Sequence, residues 1–167
     1  MTLSNEQKRF VDDLTKKNKI SSKATIQDYR HETEKFDNIV SIEMFEAVGK
    51  KYWNDYFKKI KQCLKKEGRA LIQTITIDDS IYKNYLKTSD FIREYIFPGG
   101  LLPSQNIFEI MAKNNGLNVA NKFSFGQCYN KTLLKWLENF DNLGVRFIVL
   151  QFGGQVHSST NKIINRI

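Results

Sequence analysis

The 167-residue chain is poor in the residues that staple, break or coordinate a fold, with 2 Cys, 2 Pro, 9 Gly and 2 His. Cys63 and Cys128 stand alone, without C-x-x-C spacing or a neighbouring His, and His31 and His157 are far apart, so neither a metal site nor a structural disulfide is expected. Scarce Pro and Gly, without any internal repeat, exclude collagen-like and low-complexity classes. No apolar run reaches roughly 18 residues and the opening MTLSNEQKRF has no apolar signal core. Nothing in the sequence therefore supports a spanning helix or export, and the expected compartment is the cytoplasm.

What is present is the composition of one ordinary globular domain, 41% hydrophobic and long enough to bury a core. The net charge of +8 is concentrated over residues 50–69, where eight Lys/Arg face only Asp55 and Glu67. Such a basic helix is a solvated face, or it is drawn to anionic phospholipid headgroups or to nucleic acid phosphates; composition alone does not separate these.

Periodicity orders the chain. Leu3, Phe10, Val11 and Leu14 recur at helical spacing, with Ser4 as N-cap and Gln7 at the capping-box position, and predict a first helix. Residues 24–26 form a short strand candidate and residues 36–42 a better one, followed by the basic helix to about Lys66, where Gly68 should end it. The β-branched run 69–77 is then a strand, and strand, helix, strand argues a parallel α/β unit. Residues 78–89 read as loop, 90–97 as a short amphipathic segment and Pro98-Gly99-Gly100 as a break. Ser104 should cap a helix over 105–115 with Ile107, Ile110 and Met111 as its stripe, closed by Gly116 before a strand over 117–125. A helix over 129–140, an apolar run over 147–152 and a polar tail with little core-building capacity complete the chain.

Four blocks resemble the cyclopropane-fatty-acyl-phospholipid synthase family, which includes the mycolic acid cyclopropane synthases. They are TLSNEQ at residues 2–7, FDNIVSIEMFEAVG at 36–49, FIREYIFPGGLLPS at 91–104 and GQCYNKTLLKW at 126–136. The resemblance implies an S-adenosylmethionine-dependent methyltransferase with an α/β, Rossmann-like sheet flanked by helices. It also implies that this chain holds a partial domain over 1–146, without the first strand, glycine-rich turn and first helix, followed by a divergent tail over 147–167, and so is expected to be an inactive or incomplete fragment as it stands. No G-x-G occurs in the sequence. An incomplete sheet of this kind should expose apolar edges and self-associate.

The implied reaction adds the cofactor's activated methyl to a double bond of an unsaturated phospholipid acyl chain, and the resulting cation closes the ring by losing a proton. That chemistry needs aromatic faces and a base, for which the family uses bound bicarbonate. The resemblance places Glu46, Tyr129 and Gln73 around that ion, with Ile75 as a backbone contributor. Glu46 is equally a helix-start carboxylate, and Tyr129 equally a half-buried tyrosine at a helix start. Gln73 and Ala47 stand where the family commonly has His; Gln cannot titrate, so a methyl-branched product comes into view. Thr2, Leu3, Ser4 and Gln7, with Asp28 and Tyr29, match cofactor contacts, although the first four also form a plain capping box. Phe91, Tyr95 and Phe97 match a lid over the acyl tunnel, whereas aromatic stripes are more often core; Trp53, Tyr56, Phe57 and Trp136 are assigned to the core.

The expected partner is thus the acyl chain of an unsaturated phospholipid at the inner face of the membrane, and no nucleic acid. A methyltransferase with another substrate class and a non-catalytic basic binding module are the competing readings.

Overall fold

A computed structural model describes residues 1–142 and 159–166 of the chain. Strand β1, Phe36–Ile42, leads through 3-10 turns at Phe45–Ala47 and Lys50–Tyr52 into helix α2, Trp53–Cys63, and back through β2, Leu64–Ile75; helix α1, Asn5–Lys17, precedes them. β1 and β2 run parallel, from Asn38 opposite Arg69 to Ile42 opposite Gln73, which is the expected α/β unit. α2 ends three residues before the predicted Lys66 because buried Leu64 takes extended backbone there. Gly68 does not cap the helix. It lies inside β2, where a Cβ would stand 3.0 Å from the Lys65 carbonyl and 3.1 Å from the Asp37 carbonyl, so glycine is needed for close backbone approach beside the irregular register between Phe36 and Asn38.

Beyond β2 come the short helix α3, Tyr82–Tyr85, inside the expected loop, and a π-type turn at Ile92–Ile96. Helix α4, Gln105–Asn114, strand β3, Leu117–Ser124, and helix α5, Gly126–Asn142, follow. Ser104 Oγ accepts from the Ile107 N–H at 3.3 Å, and Gly116 takes φ 71° at the far end, so the predicted start and stop signals both act as such. The segment 24–26 gives only an isolated bridge from Ile26 to Thr2.

The tail departs from expectation. Residues Ser159–Arg166 form β4, which lies between β2 and β3 and is antiparallel to both, giving the order β1-β2-β4-β3. The sheet is therefore mixed, and the tail read as having little core-building capacity supplies an interior strand. Its alternation was hidden because Thr160, Asn161, Lys162 and Asn165 are polar, and pairing on both sides supplies what composition does not. The apolar run over 147–152 lies outside the described residues.

One face of β1 and β2 carries the core. Buried Trp53, Tyr56, Phe57, Ile60 and Cys63 recur along one side of α2 and meet Ala70, Ile72, Phe108, Ala112 and Leu117. Phe45 is enclosed by the rings of Trp53, Tyr56, Phe57 and Phe108 at centroid distances of 5.0–5.4 Å. Each such pair adds about 0.5–1.5 kcal/mol beyond burial. Tyr56 donates to Ser41 Oγ at 2.8 Å, which satisfies both buried hydroxyls. In α4 the buried residues are Phe108 and Ala112, while Ile110 of the predicted stripe is exposed. Trp136, assigned to the core from sequence, is 55% exposed.

The basic stretch over residues 50–69 spends several charges on its own fold. Lys59 donates to the Glu32 carbonyl at 2.8 Å, Lys61 to the Gly116 carbonyl at 2.6 Å, and Lys65 pairs with Asp37. Among the described residues no helix is long and apolar enough to cross a membrane.

Candidate active site

The carboxyl end of β1 makes the site. Ile42 is opposite Gln73, so the next residue, Glu43, turns out of the strand at that level and its N–H donates to the Gln73 carbonyl at 2.9 Å. Three residues on, in the first 3-10 turn, Glu46 points back at β2 and accepts the Ile75 N–H on Oε1. Its Oε2 is buried without a hydrogen-bond partner. Burial pushes this carboxyl above the ordinary range, outweighing the Ile75 N–H, which pulls it down.

Tyr129 reaches the same place from the first turn of α5. Burial raises its phenol, and the nearby carboxylates of Glu43 and Glu46 raise it further. Gln73 donates its Nε2 to Glu43 Oε1 at 3.0 Å. Four residues singled out from sequence, Glu46, Gln73, Ile75 and Tyr129, are thus neighbours. Glu43 was missed. The signal available was a carboxylate directly after a strand end, where α/β sheets place their ligands, but it was passed over as part of the turn.

The turn at Pro98-Gly99-Gly100 is strapped to this cluster, because the Leu101 N–H donates to the Glu46 carbonyl at 3.1 Å. Just before it, Phe91 and Tyr95 pack with ring centroids 5.1 Å apart. Tyr95 and Phe97 are 70% and 65% exposed, so these aromatics are not core.

The second group of predicted residues gathers elsewhere. The Thr2 N–H donates to the Thr25 carbonyl at 3.0 Å and the Thr2 carbonyl accepts from Gln27 at 3.1 Å, which sets the start of α1 beside Asp28 and Tyr29. Ser4 Oγ accepts from the Gln7 N–H at 3.2 Å, as a cap should, but the Gln7 side chain accepts from the Thr2 hydroxyl instead of closing the box. Leu3 is exposed. Asp28 accepts a fork from Arg30, with 2.6 Å between Nη2 and Oδ2, and this bonding pulls its carboxyl down to about 2. The half-buried Tyr29 ring meets Tyr56 edge-on at 5.9 Å. Hydroxyls, an amide, a carboxylate and an aryl face side by side fit the ribose and adenine of a nucleoside. They do not include a glycine-rich turn.

A sequence profile described as mycolic acid cyclopropane synthetase matches residues 1–156. The chain belongs to this family. It is 36% identical over 143 residues to the tuberculostearic acid methyltransferase UfaA1 of Mycobacterium tuberculosis, covering 84% of this chain and 34% of that protein. It is 37% identical over 131 residues to the cyclopropane-fatty-acyl-phospholipid synthase of Escherichia coli, covering 73% and 33%. The chain spans about a third of the length of these curated relatives. Among solved structures, the mycolic acid cyclopropane synthase CmaA1 complexed with SAH and CTAB superposes with TM-score 0.79 at 25% identity, over 99% of this chain and 68% of that one. The cyclopropane synthase MmaA2 from M. tuberculosis gives 0.80 at 22% identity with the same coverage, which shows the fold. The homologues are S-adenosylmethionine-dependent methyltransferases and cyclopropane synthases, as the resemblance implied, and the sheet with its flanking helices is an incomplete Rossmann-like one.

Proposed function

We propose that the chain serves S-adenosylmethionine-dependent methyl or methylene transfer to the double bond of unsaturated phospholipid acyl chains, at the inner membrane face. The observation that carries this reading is the meeting of Glu46, Gln73, Ile75 and Tyr129 at the strand ends, tied through Leu101 to the aromatic segment 91–97. The bound cofactor supplies an electrophilic methyl. The chain's own residues do the rest: Thr2, Ser4, Gln7, Asp28 and Tyr29 hold the nucleoside side, and Phe91, Tyr95 and Phe97 offer faces to an acyl chain and to positive charge developing on it. Glu46 and Tyr129 fix the polar end of the site, where a proton must leave.

Gln73 favours a second reading of the product. A side chain that cannot titrate is poorly suited to relay the proton whose loss from the added methyl closes the ring, which favours loss of a proton from another position of the cation and an unsaturated methyl-branched or methylene lipid.

The test is incubation of the purified chain with methyl-labelled S-adenosylmethionine, at millimolar concentration, and vesicles of monounsaturated phospholipid. Label in the acyl chain, lost in Glu46→Gln, is the expected result, and mass spectrometry of the acyl product decides between ring and branch. A folded chain that leaves the lipid unlabelled would overturn the reading in favour of a non-catalytic basic module.

A further inference from the structure

Residues 91–99 invert the usual rule of burial. Phe91, Ile92, Tyr95, Ile96 and Phe97 are exposed, and the one residue of the stretch that is half-buried is charged, Arg93. An enclosed polar group and an exposed apolar run are the informative departures on a protein surface, and here both belong to one segment.

Arg93 is held from the end of α3. Its Nη1 donates to the Tyr85 carbonyl at 2.8 Å and to the Thr88 carbonyl, and its guanidinium lies over the Tyr85 ring, 4.7 Å from the centroid. The same tyrosine reaches the far arm of the loop, where its hydroxyl accepts the Leu102 N–H at 3.2 Å. Leu101, one residue before, donates its N–H to the Glu46 carbonyl. Tyr85 therefore joins the two arms, and the path from the aromatic faces to Glu46 runs through Arg93, Tyr85 and the Leu101-Leu102 pair. Within the loop, Asp90 Oδ1 accepts the Arg93 N–H at 2.9 Å, which fixes the turn that carries Phe91 and Tyr95. No side chain over residues 87–100 joins the core, so this clamp, and not packing, sets where the segment stands.

We propose that Arg93 is a positioning residue of the acyl site: clamped on Tyr85, it holds Phe91, Tyr95 and Phe97 in place beside Glu46, ready to receive an acyl chain. The inference rests on the assignment of those aromatics to the acyl chain above, and it gives Arg93 no part in the chemistry itself. Arginine suits the task because one planar group serves two carbonyls while its face stacks on a ring. Faces that must be ordered at the moment of binding lose affinity to that ordering, and a clamp removes the loss beforehand.

The experiment titrates the methyl ester of cis-parinaric acid, an uncharged fluorescent polyene chain, into the purified 167-residue chain without S-adenosylmethionine or phospholipid. The ester has no carboxylate for Arg93 to attract, so the titration reads the aromatic faces. Wild type should bind it saturably. Arg93→Ala should bind about ten-fold more weakly, the scale of one charged hydrogen bond, while its urea midpoint stays that of wild type because the loop lies outside the core. Arg93→Lys keeps a cation for the Tyr85 ring and loses the planar fork, and should bind only about three-fold more weakly. An alanine variant that binds as tightly as wild type would overturn the proposal, as would a lysine variant no tighter than the alanine one, or a wild type that does not take the ester. If the alanine variant misfolds, an undiminished lysine variant overturns it. Arg93-dependent binding of the ester by a wild type that transfers no methyl to lipid would sink the methyl-transfer reading and leave the clamp standing.

Discussion

β1 and β2 show one face to α2 and α4 and the other to solvent, and the two could hardly differ more. On the inner face Ser41, Ala70, Ile72 and Thr74 are buried against five enclosed aromatic rings; on the outer face Val40 and Ile42 are 66% and 52% exposed. Both faces come from strands of the same β-branched character. The difference is therefore one of what packs against them, and it teaches that folding free energy and surface chemistry are segregated. α1 belongs with the outer side in this respect: no residue of it is buried, and Phe10 and Leu14 of its predicted stripe are exposed. The catalytic candidates sit on the rim between the two regimes, at the ends of the strands, where Glu46 is half-buried and Glu43 is exposed.

The largest expected effect breaks the packed face. Phe45→Ala removes a fully buried ring that contacts four others and should cost about 3–5 kcal/mol, read as a fall in the urea midpoint. The paired change Val40→Ser with Ile42→Ser should move stability by no more than about 0.5 kcal/mol. A loss above about 1 kcal/mol there would show that something covers the outer face in solution, and the contrast between faces would fail.

The same outer face and the free edge of β1 should drive association. Sedimentation velocity of wild type should show a concentration-dependent shift to larger species that the double serine variant reduces.

On the rim, Glu46→Gln should lower methyl transfer by about ten-fold or more, while Gln73→His should preserve it and raise the share of cyclopropane product. Stability should move the opposite way. Burial holds the folded Glu46 carboxyl above its ordinary value of 4.5, so the folded chain binds this proton more tightly than the unfolded chain does. The favourable contribution is complete below the ordinary value and is lost as pH rises from there through the raised folded value. At about pH 7 the wild type therefore carries a buried charge that Gln lacks, and Glu46→Gln should melt higher, the gap closing toward about pH 4. Equal melting temperatures across that window would show that Glu46 Oε2 is hydrated.

The smallest effect sharpens the picture of the rim alone. Glu43→Gln removes a negative charge and an acceptor facing the Tyr129 hydroxyl, so the phenol of Tyr129, followed by ring-labelled NMR and assigned with Tyr129→Phe, should ionise at lower pH. An unchanged titration would separate Glu43 from Tyr129.

Much of this was legible without coordinates. The α/β unit, the caps at Ser4 and Ser104, the stop at Gly116 and the convergence of Glu46, Gln73 and Tyr129 follow from spacing and from block resemblance. What escaped has physical causes. Gly68 looks like a helix stop because glycine serves both αL caps and crowded strand crossings, and only the Asp37 carbonyl beside it tells them apart. The predicted stripe Ile107, Ile110, Met111 is turned by one residue from the buried Phe108 and Ala112, and the choice is made by Phe45 and Phe57, far away in sequence. Glu43 carries one local mark, its place directly after a strand end, but its partner Gln73 lies 30 residues away, so what it touches could not be read locally.

The place of β4 sets an order on how the chain can acquire its structure. β1 and β2 are joined through a single helix and can pair as soon as both have left the ribosome, by contacts of modest sequence separation. β3 touches neither of them; its ladder runs to β4, which is synthesised after it and must slip between β2 and β3 before the sheet is continuous. Until then two strand edges, one on β2 and one on β3, wait unpaired. The native pairing therefore makes the capture of one eight-residue strand, the last of the four to leave the ribosome, the step that closes the sheet.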